Sequence, residues 1–224
     1  MGPYHVILTF PKVNRNTTMP KTTSRDIVEL DPHALVGKGL HRECFVHPGD
    51  PTRCIKIVVS GSGNENRREQ GYYAELANKG ISWEMLPKFY GLVETNLGEG
   101  AVFDLIRDYD GRISLTLRHY LSSPQLTSLH QQALREALQG LKSYLLEHRI
   151  ITMTLKPKNI LFQMDSAETG KLVIVDNIGN SDFIPLVKFS AGLAKWKILR
   201  KWRRFEKSLR ADFAGNKSVG QLIG

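Results

Sequence analysis

Asn159 and Asp176 are two residues of this chain able to offer hard oxygen atoms of the kind that bind magnesium, each beside an apolar run. Asn159 ends Thr154-Leu155-Lys156-Pro157-Lys158-Asn159 and leads into Ile160-Leu161-Phe162, while Asp176 follows Leu172-Val173-Ile174-Val175. Such runs read as short buried strands. Paired as a hairpin, they would bring both oxygens to one mouth. Upstream, Lys56 stands between isoleucines in Arg53-Cys54-Ile55-Lys56-Ile57-Val58. An ammonium in an apolar strand is costly to bury unless paired. Oxygen ligands for a metal and a cation that needs an anion are parts of phosphoryl-transfer chemistry, where positioning and stabilising spread negative charge are most of the problem.

The elements that must hold these groups follow from the pattern. Leu35 to Gly39 and Leu40 to Val46 predict a strand, a glycine turn and a returning strand, with His47-Pro48-Gly49-Asp50-Pro51 as the turn before the strand of Lys56. Residues 64 to 77 have helical spacing, with Tyr72 and Leu76, and Tyr73 and Ala77, at i, i+4. Val93 to Ile106 predicts two strands around Asn96-Leu97-Gly98-Glu99-Gly100, and Arg107 to Gly111 a hinge. Residues 115 to 121 and 126 to 148 turn helical. Leu134, Leu138, Leu141 and Leu145 mark the buried face of the longer helix, with Gly140 as its weak point.

In order along the chain, Gly37-x-Gly39, Lys56, Glu69, Leu155-Lys156-Pro157-x-Asn159 and Asp176-x-x-Gly179 resemble the signature series of the protein-kinase-like fold. That resemblance implies a phosphate grip at Gly37 and Gly39, a lysine at 56 paired with Glu69 (Glu75 in reserve), Lys156 on the transferring phosphate, and Asn159 and Asp176 on magnesium. Two departures stand out. Arg42 falls where a third glycine would be, and Thr154 stands where kinases carry the catalytic aspartate. A neutral hydroxyl cannot accept the acceptor's proton, and losing such help costs on the order of 10² to 10⁴ in rate. The bland alternative is that Thr154 only hydrogen-bonds the loop backbone.

A more specific likeness runs from about residue 28 to 205. Gly37 through Pro48, Arg53 through Val58, Phe103 through Gly111, Thr152 through Leu161, and Asp176 through Asn180 on to Ile184-Pro185-Leu186 resemble the PhoP regulatory network protein YrbL family of small bacterial kinase-like proteins. It implies a compact two-lobed α+β fold with a small antiparallel β lobe and a reduced helical C-lobe. Residues 1–24 are expected as a loose extension with Met19 a candidate start, 25–104 as the small lobe, 105–111 as the hinge, 112–190 as the C-lobe, and 191–224 as a basic helix and tail. The expected ligands are ATP and Mg²⁺. The readings are a divergent phosphotransferase on an unknown acceptor, a pseudokinase-type module that binds a protein partner, or nucleotidyl transfer. About forty residues follow Ile184, without an Ala-Pro-Glu segment, so a small-molecule acceptor is expected over a peptide.

Composition bounds the rest. The 224 residues, 41% hydrophobic, suffice for a core without staples. No apolar run approaches a membrane span and Val6 to Phe10 is too short for a signal peptide, so a cytoplasmic location is expected. Cys44 and Cys54 then read as small buried hydrophobes rather than a redox pair. Of the net charge of +9, the segment 195–210 supplies seven, eight basic residues against one acidic. Ile198, Trp202, Phe205 and Leu209 give it an apolar face, so it reads as a packed helix with solvated cations, or as a contact for an anionic surface. The seven histidines show no metal-ligand spacing.

Overall fold

A computed structural model describes residues 27–39, 41–60, 64–179 and 191–223. The expected extension at 1–24 lies outside the described residues, as does the stretch at 184–186.

The N-terminal part is built on a five-stranded antiparallel sheet of β1 (Leu35–Lys38), β2 (Arg42–His47), β3 (Asp50–Val58), β4 (Phe89–Thr95) and β5 (Gly98–Asp104), in the order β1-β2-β3-β5-β4. Period-two alternation along β3 sends Ile55 and Ile57 to one face, where they pack with Leu30, Phe45 and Val102. Cys54 and Lys56 point the other way. On that face lies α1 (Asn64–Asn78), which buries Glu69, Tyr72, Tyr73 and Leu76, one stripe at i, i+3, i+4, i+7. Ala77, expected to share the stripe, is exposed. β5 crosses β3 at Gly100, where any Cβ would lie 2.4 Å from Ile55 Cγ2, so only glycine allows the approach.

The C-terminal part holds a three-stranded antiparallel sheet, β6 (Leu115–Thr116), β7 (Ile160–Met164) and β8 (Gly170–Ile174). β7 and β8 form the expected hairpin, with Ile160 opposite Ile174. Around them pack α2 (Leu117–Leu121), α3 (Pro124–Leu129), α4 (Gln131–Glu147), α5 (Ala191–Asp212) and α6 (Lys217–Leu222). Leu134, Leu138, Leu141 and Leu145 are buried as the spacing predicts. Gly140 faces Met85, whose Cε would press an added methyl at 3.3 Å.

The helix expected over 126–148 is two. Thr127 Oγ1 donates to the carbonyls of Tyr120 and Ser123 and accepts from Asn216 Nδ2, tying down the short α3, and the chain breaks at His130 before α4 begins. One continuous core runs from Cys54 and Tyr73 through Leu141 to Trp202 and Leu222. The fold is therefore α+β with two antiparallel sheets and, among the described residues, six helices. Among those residues no helix is long and apolar enough to cross a membrane.

Candidate functional site

Strand register assembles the first half of the site. Cys44 pairs with Lys56 across β2 and β3, so Arg42, Cys44, Cys54 and Lys56 share the face covered by α1. Both cysteines are free. Their thiols touch, and the contact and burial push the Cys54 thiol up.

The second half comes from the C-terminal hairpin. The turn Pro157–Asn159 feeds β7, and Asn159 O accepts the N–H of Val175 at 3.0 Å, which sets Asn159 beside the segment that carries Asp176. Asn177 adopts a left-handed backbone (φ 64°), a conformation asparagine tolerates better than most residues. Its carbonyl accepts from Met153 N at 2.8 Å, and Thr152 bridges Ile178. The Thr154–Asn159 loop and the Asp176 loop are thus laced together. Tyr72 adds a tie from α1, its hydroxyl accepting from Ile151 N at 2.8 Å. Burial pushes that hydroxyl up to about 12.

Two cations join the halves. Lys56 Nζ donates to Val175 O at 2.5 Å, one residue from Asp176, and lies 4.4 Å above the Phe103 ring. Arg42 Nη1 meets Glu69 Oε2 at 2.5 Å and Asp176 Oδ1 at 3.0 Å. This departs from the expected pairing, because Glu69 is bound to Arg42 and Lys56 is satisfied by a carbonyl. The geometric reason is that Arg42 and Lys56 lie on the same sheet face, and the longer guanidinium spans both carboxylates. Glu69 is only 4% exposed and its Oε1 has no hydrogen-bond partner. Burial pushes its carboxyl above the ordinary carboxylate range, against the pull of Arg42 and Lys56. Asp176 Oδ1 also accepts its neighbour's N–H, from Asn177 at 2.8 Å.

The remaining predicted residues fall around this bridge. Gly37 sits in β1 opposite Cys44, and Gly39 N donates to Arg42 O at 2.7 Å at the start of the turn that presents Arg42. Neither needs a left-handed backbone. A Cβ at Gly37 would make an ordinary 3.8 Å contact with Cys44. Thr154 and Lys156 are exposed on the loop. The Thr154 side chain makes no hydrogen bond among the described residues, which departs from the backbone-bonding alternative. The segment expected as a hinge is anchored at both sides: Asp108 Oδ1 accepts from Met164 N and Ser114 Oγ, and the Arg107 guanidinium donates to the carbonyls of Pro51 and Gly111.

Sequence spacing missed three contributors. Arg42 entered only as a missing glycine, although a charge next to a glycine turn and on the face of Lys56 was its one signal. Tyr72 read as core alone. Lys201, within the basic segment, donates from Nζ to Met153 O at 2.5 Å and so holds the loop that carries Thr154.

A laced pair of loops set against a sheet by two half-buried cations defines an α+β protein with an ion-pair site between its sheet and its hairpin. The family model described as PhoP regulatory network protein YrbL matches residues 28–210, and the chain belongs to that family. It is 42% identical over 186 residues to the protein named "Uncharacterized protein YrbL" of Escherichia coli strain K12, covering 80% of this chain and 86% of the relative. The Shigella flexneri protein of the same name matches to the same extent.

Proposed function

We propose that the protein binds Mg-ATP where Lys56, Glu69 and Arg42 meet Asn159 and Asp176, and that it is a divergent kinase-like phosphotransferase. The observation that carries this reading is convergence: Arg42 reaches Glu69 across 27 residues of sequence and Asp176 across 134. Lys56 reaches the neighbour of Asp176 across 119. Two carboxylates and two cations at one place, with the Asn159 backbone tied to the residue before Asp176, suit a polyphosphate with its counter-ion.

The donor chemistry is what supports magnesium in this reading. Asn159 and Asp176 supply oxygen ligands, and a metal there would complete its shell with phosphate oxygens and water. It would supply charge neutralisation at the transferring phosphate. Lys56 would hold the phosphates and the carboxylate of Glu69 the cations around them, with Gly37 and Gly39 offering backbone without side chains at the end of β1 and the turn after it. Lys156 would attract the transferring group. As the acceptor oxygen bonds to the γ-phosphorus, the bond to the ADP oxygen breaks. Thr154 is no base, so the hydroxyl proton leaves to a phosphoryl oxygen or to water.

A second reading has its own support. Arg42 already sits on Asp176, as a cation bound in place of a metal would, and this favours a pseudokinase-type regulatory module in which the site is structural. Nucleotidyl transfer is a third arrangement open to the same groups. A thermal-shift comparison of wild type, Lys56→Ala and Asp176→Ala with and without Mg-ATP tests the reading. At a hundredfold over its dissociation constant the nucleotide should add about 2.7 kcal/mol of stability. A shift in wild type that both variants lose supports it, and no shift in wild type leaves the regulatory module.

A further inference from the structure

The loop carrying Thr154 also forms a wall of a cavity of about 960 Å³, at the upper end of the roughly 300–1,000 Å³ usual for small-molecule sites. Arg118 of α2, Lys156 and Lys158 of the loop, and Lys201 and Arg204 of α5 all line it. Asp212 is the one carboxylate among its lining residues. Arg118, Lys156, Lys158 and Arg204 make no ion pair with any described residue. Five cations gathered in a concavity against one anion raise its potential, and an entering anion relieves their mutual repulsion. The two guanidiniums offer planar forks that match phosphate or carboxylate oxygens in pairs. Phe205, Leu121 and Met153 add apolar wall for the body of such a ligand.

We infer that this cavity binds a small, water-soluble molecule carrying phosphate or comparable anionic groups, and that this molecule is the acceptor. Its role as acceptor rests on the phosphotransferase reading, whereas the binding of the anion does not. Thr154 and Lys156 belong to both the cavity wall and the loop laced to Asp176, so a hydroxyl on the bound molecule lies on the side from which a γ-phosphate would be attacked. The concave shape favours a small ligand over a flat membrane surface. The basic character of residues 195–210 thereby acquires a specific use: Lys201 and Arg204 face this cavity rather than bulk solvent alone.

Isothermal titration with inorganic pyrophosphate in EDTA, so that no metal takes part, tests the inference. The proteins compared are wild type, an Arg118→Ala/Arg204→Ala double variant, Asp212→Asn and Lys56→Ala, each checked for a native melting transition. Wild type should bind. The double variant should bind at least about tenfold more weakly, because charge-assisted hydrogen bonds are lost. Asp212→Asn, which removes the opposing carboxylate, should bind more tightly, and Lys56→Ala should bind as wild type does. No binding by wild type, or binding abolished by Lys56→Ala and indifferent to the arginines, overturns the inference. So does pyrophosphate binding absent while phosphatidylglycerol vesicles bind through the same two arginines, since that assigns the cations to a lipid surface. The two readings fail separately: a Mg-ATP thermal shift without pyrophosphate binding sinks only the cavity, and the reverse sinks the nucleotide site and with it the acceptor role, leaving the anion cavity standing.

Discussion

Replacing Arg42 with alanine removes the cation shared by Glu69 and Asp176 and leaves Glu69, 4% exposed, without an ion-pair partner. Even with Arg42 present, burial holds the Glu69 carboxyl above its ordinary value of 4.5, and without the arginine it must rise further. The sign follows from linkage. A carboxyl raised in the folded state contributes fully to stability below its unfolded value, and that stability is lost as pH rises through the folded value. The loss accrues at about 1.4 kcal/mol per pH unit. From 4.5 to neutrality Glu69 can therefore cost at most about 3.4 kcal/mol, because up to its folded value it keeps its proton while the unfolded chain ionises, and beyond that value both forms are ionised and the cost stops growing. Near pH 5 the same ceiling is about 0.7 kcal/mol. Urea unfolding of wild type, Arg42→Ala and Arg42→Ala/Glu69→Gln at about pH 5 and about pH 7 reads this directly. The deficit of the single variant against wild type should widen toward neutral pH, and that of the double variant should not. A single-variant deficit equal at both pH values, or one that widens equally in the double variant, refutes the account of Glu69 as a buried acid held by Arg42.

Other outcomes follow from the same geometry. Thr154→Asp restores a proton acceptor beside the loop. If the site transfers phosphoryl groups, turnover of Mg-ATP should rise by on the order of 10² or more, measured as ADP release, and an unchanged rate favours the regulatory reading. Asn216 is buried, donates to Leu121 O at 2.9 Å and Thr127 Oγ1 at 2.8 Å, and caps α6 through Ser218 N. Asn216→Ala should cost about 1–3 kcal/mol in urea unfolding by stranding those partners, and a change within experimental scatter would mean that α6 does not lock α3 in place.

What was legible in the sequence was whatever depends on neighbours. The alternation around Ile55 and Ile57, the apolar runs that became β7 and β8, and the leucine stripe of α4 are local periodicities, and the elements formed where those periods ran. The break at His130 was not legible, because the helical pattern continues through it and the residue that fixes α3, Asn216, lies 89 positions away from Thr127. The partner of Glu69 was hidden for a similar reason. Spacing made Arg42 look like a lapse in a glycine loop, and only the register of β2 on β3 shows that its side chain and that of Lys56 share a face. The placing of Asn159 near Asp176 could be foreseen because a hairpin was. The grip of Lys201 on Met153 could not, since nothing in a basic helix says which of its lysines turns inward.

That grip has a consequence for how the molecule is made. The five-stranded sheet closes on contacts within residues 35–104, so a nascent chain can fold it early and locally. The Thr154 loop is different, because Lys201 and the buried Trp202 and Phe205 that anchor its helix are among the later residues synthesised. During synthesis the loop with its cations thus waits unclamped beside a finished sheet. Its final shape is set only when α5 arrives, which delays the ordering of the site until well after the sheet has been made.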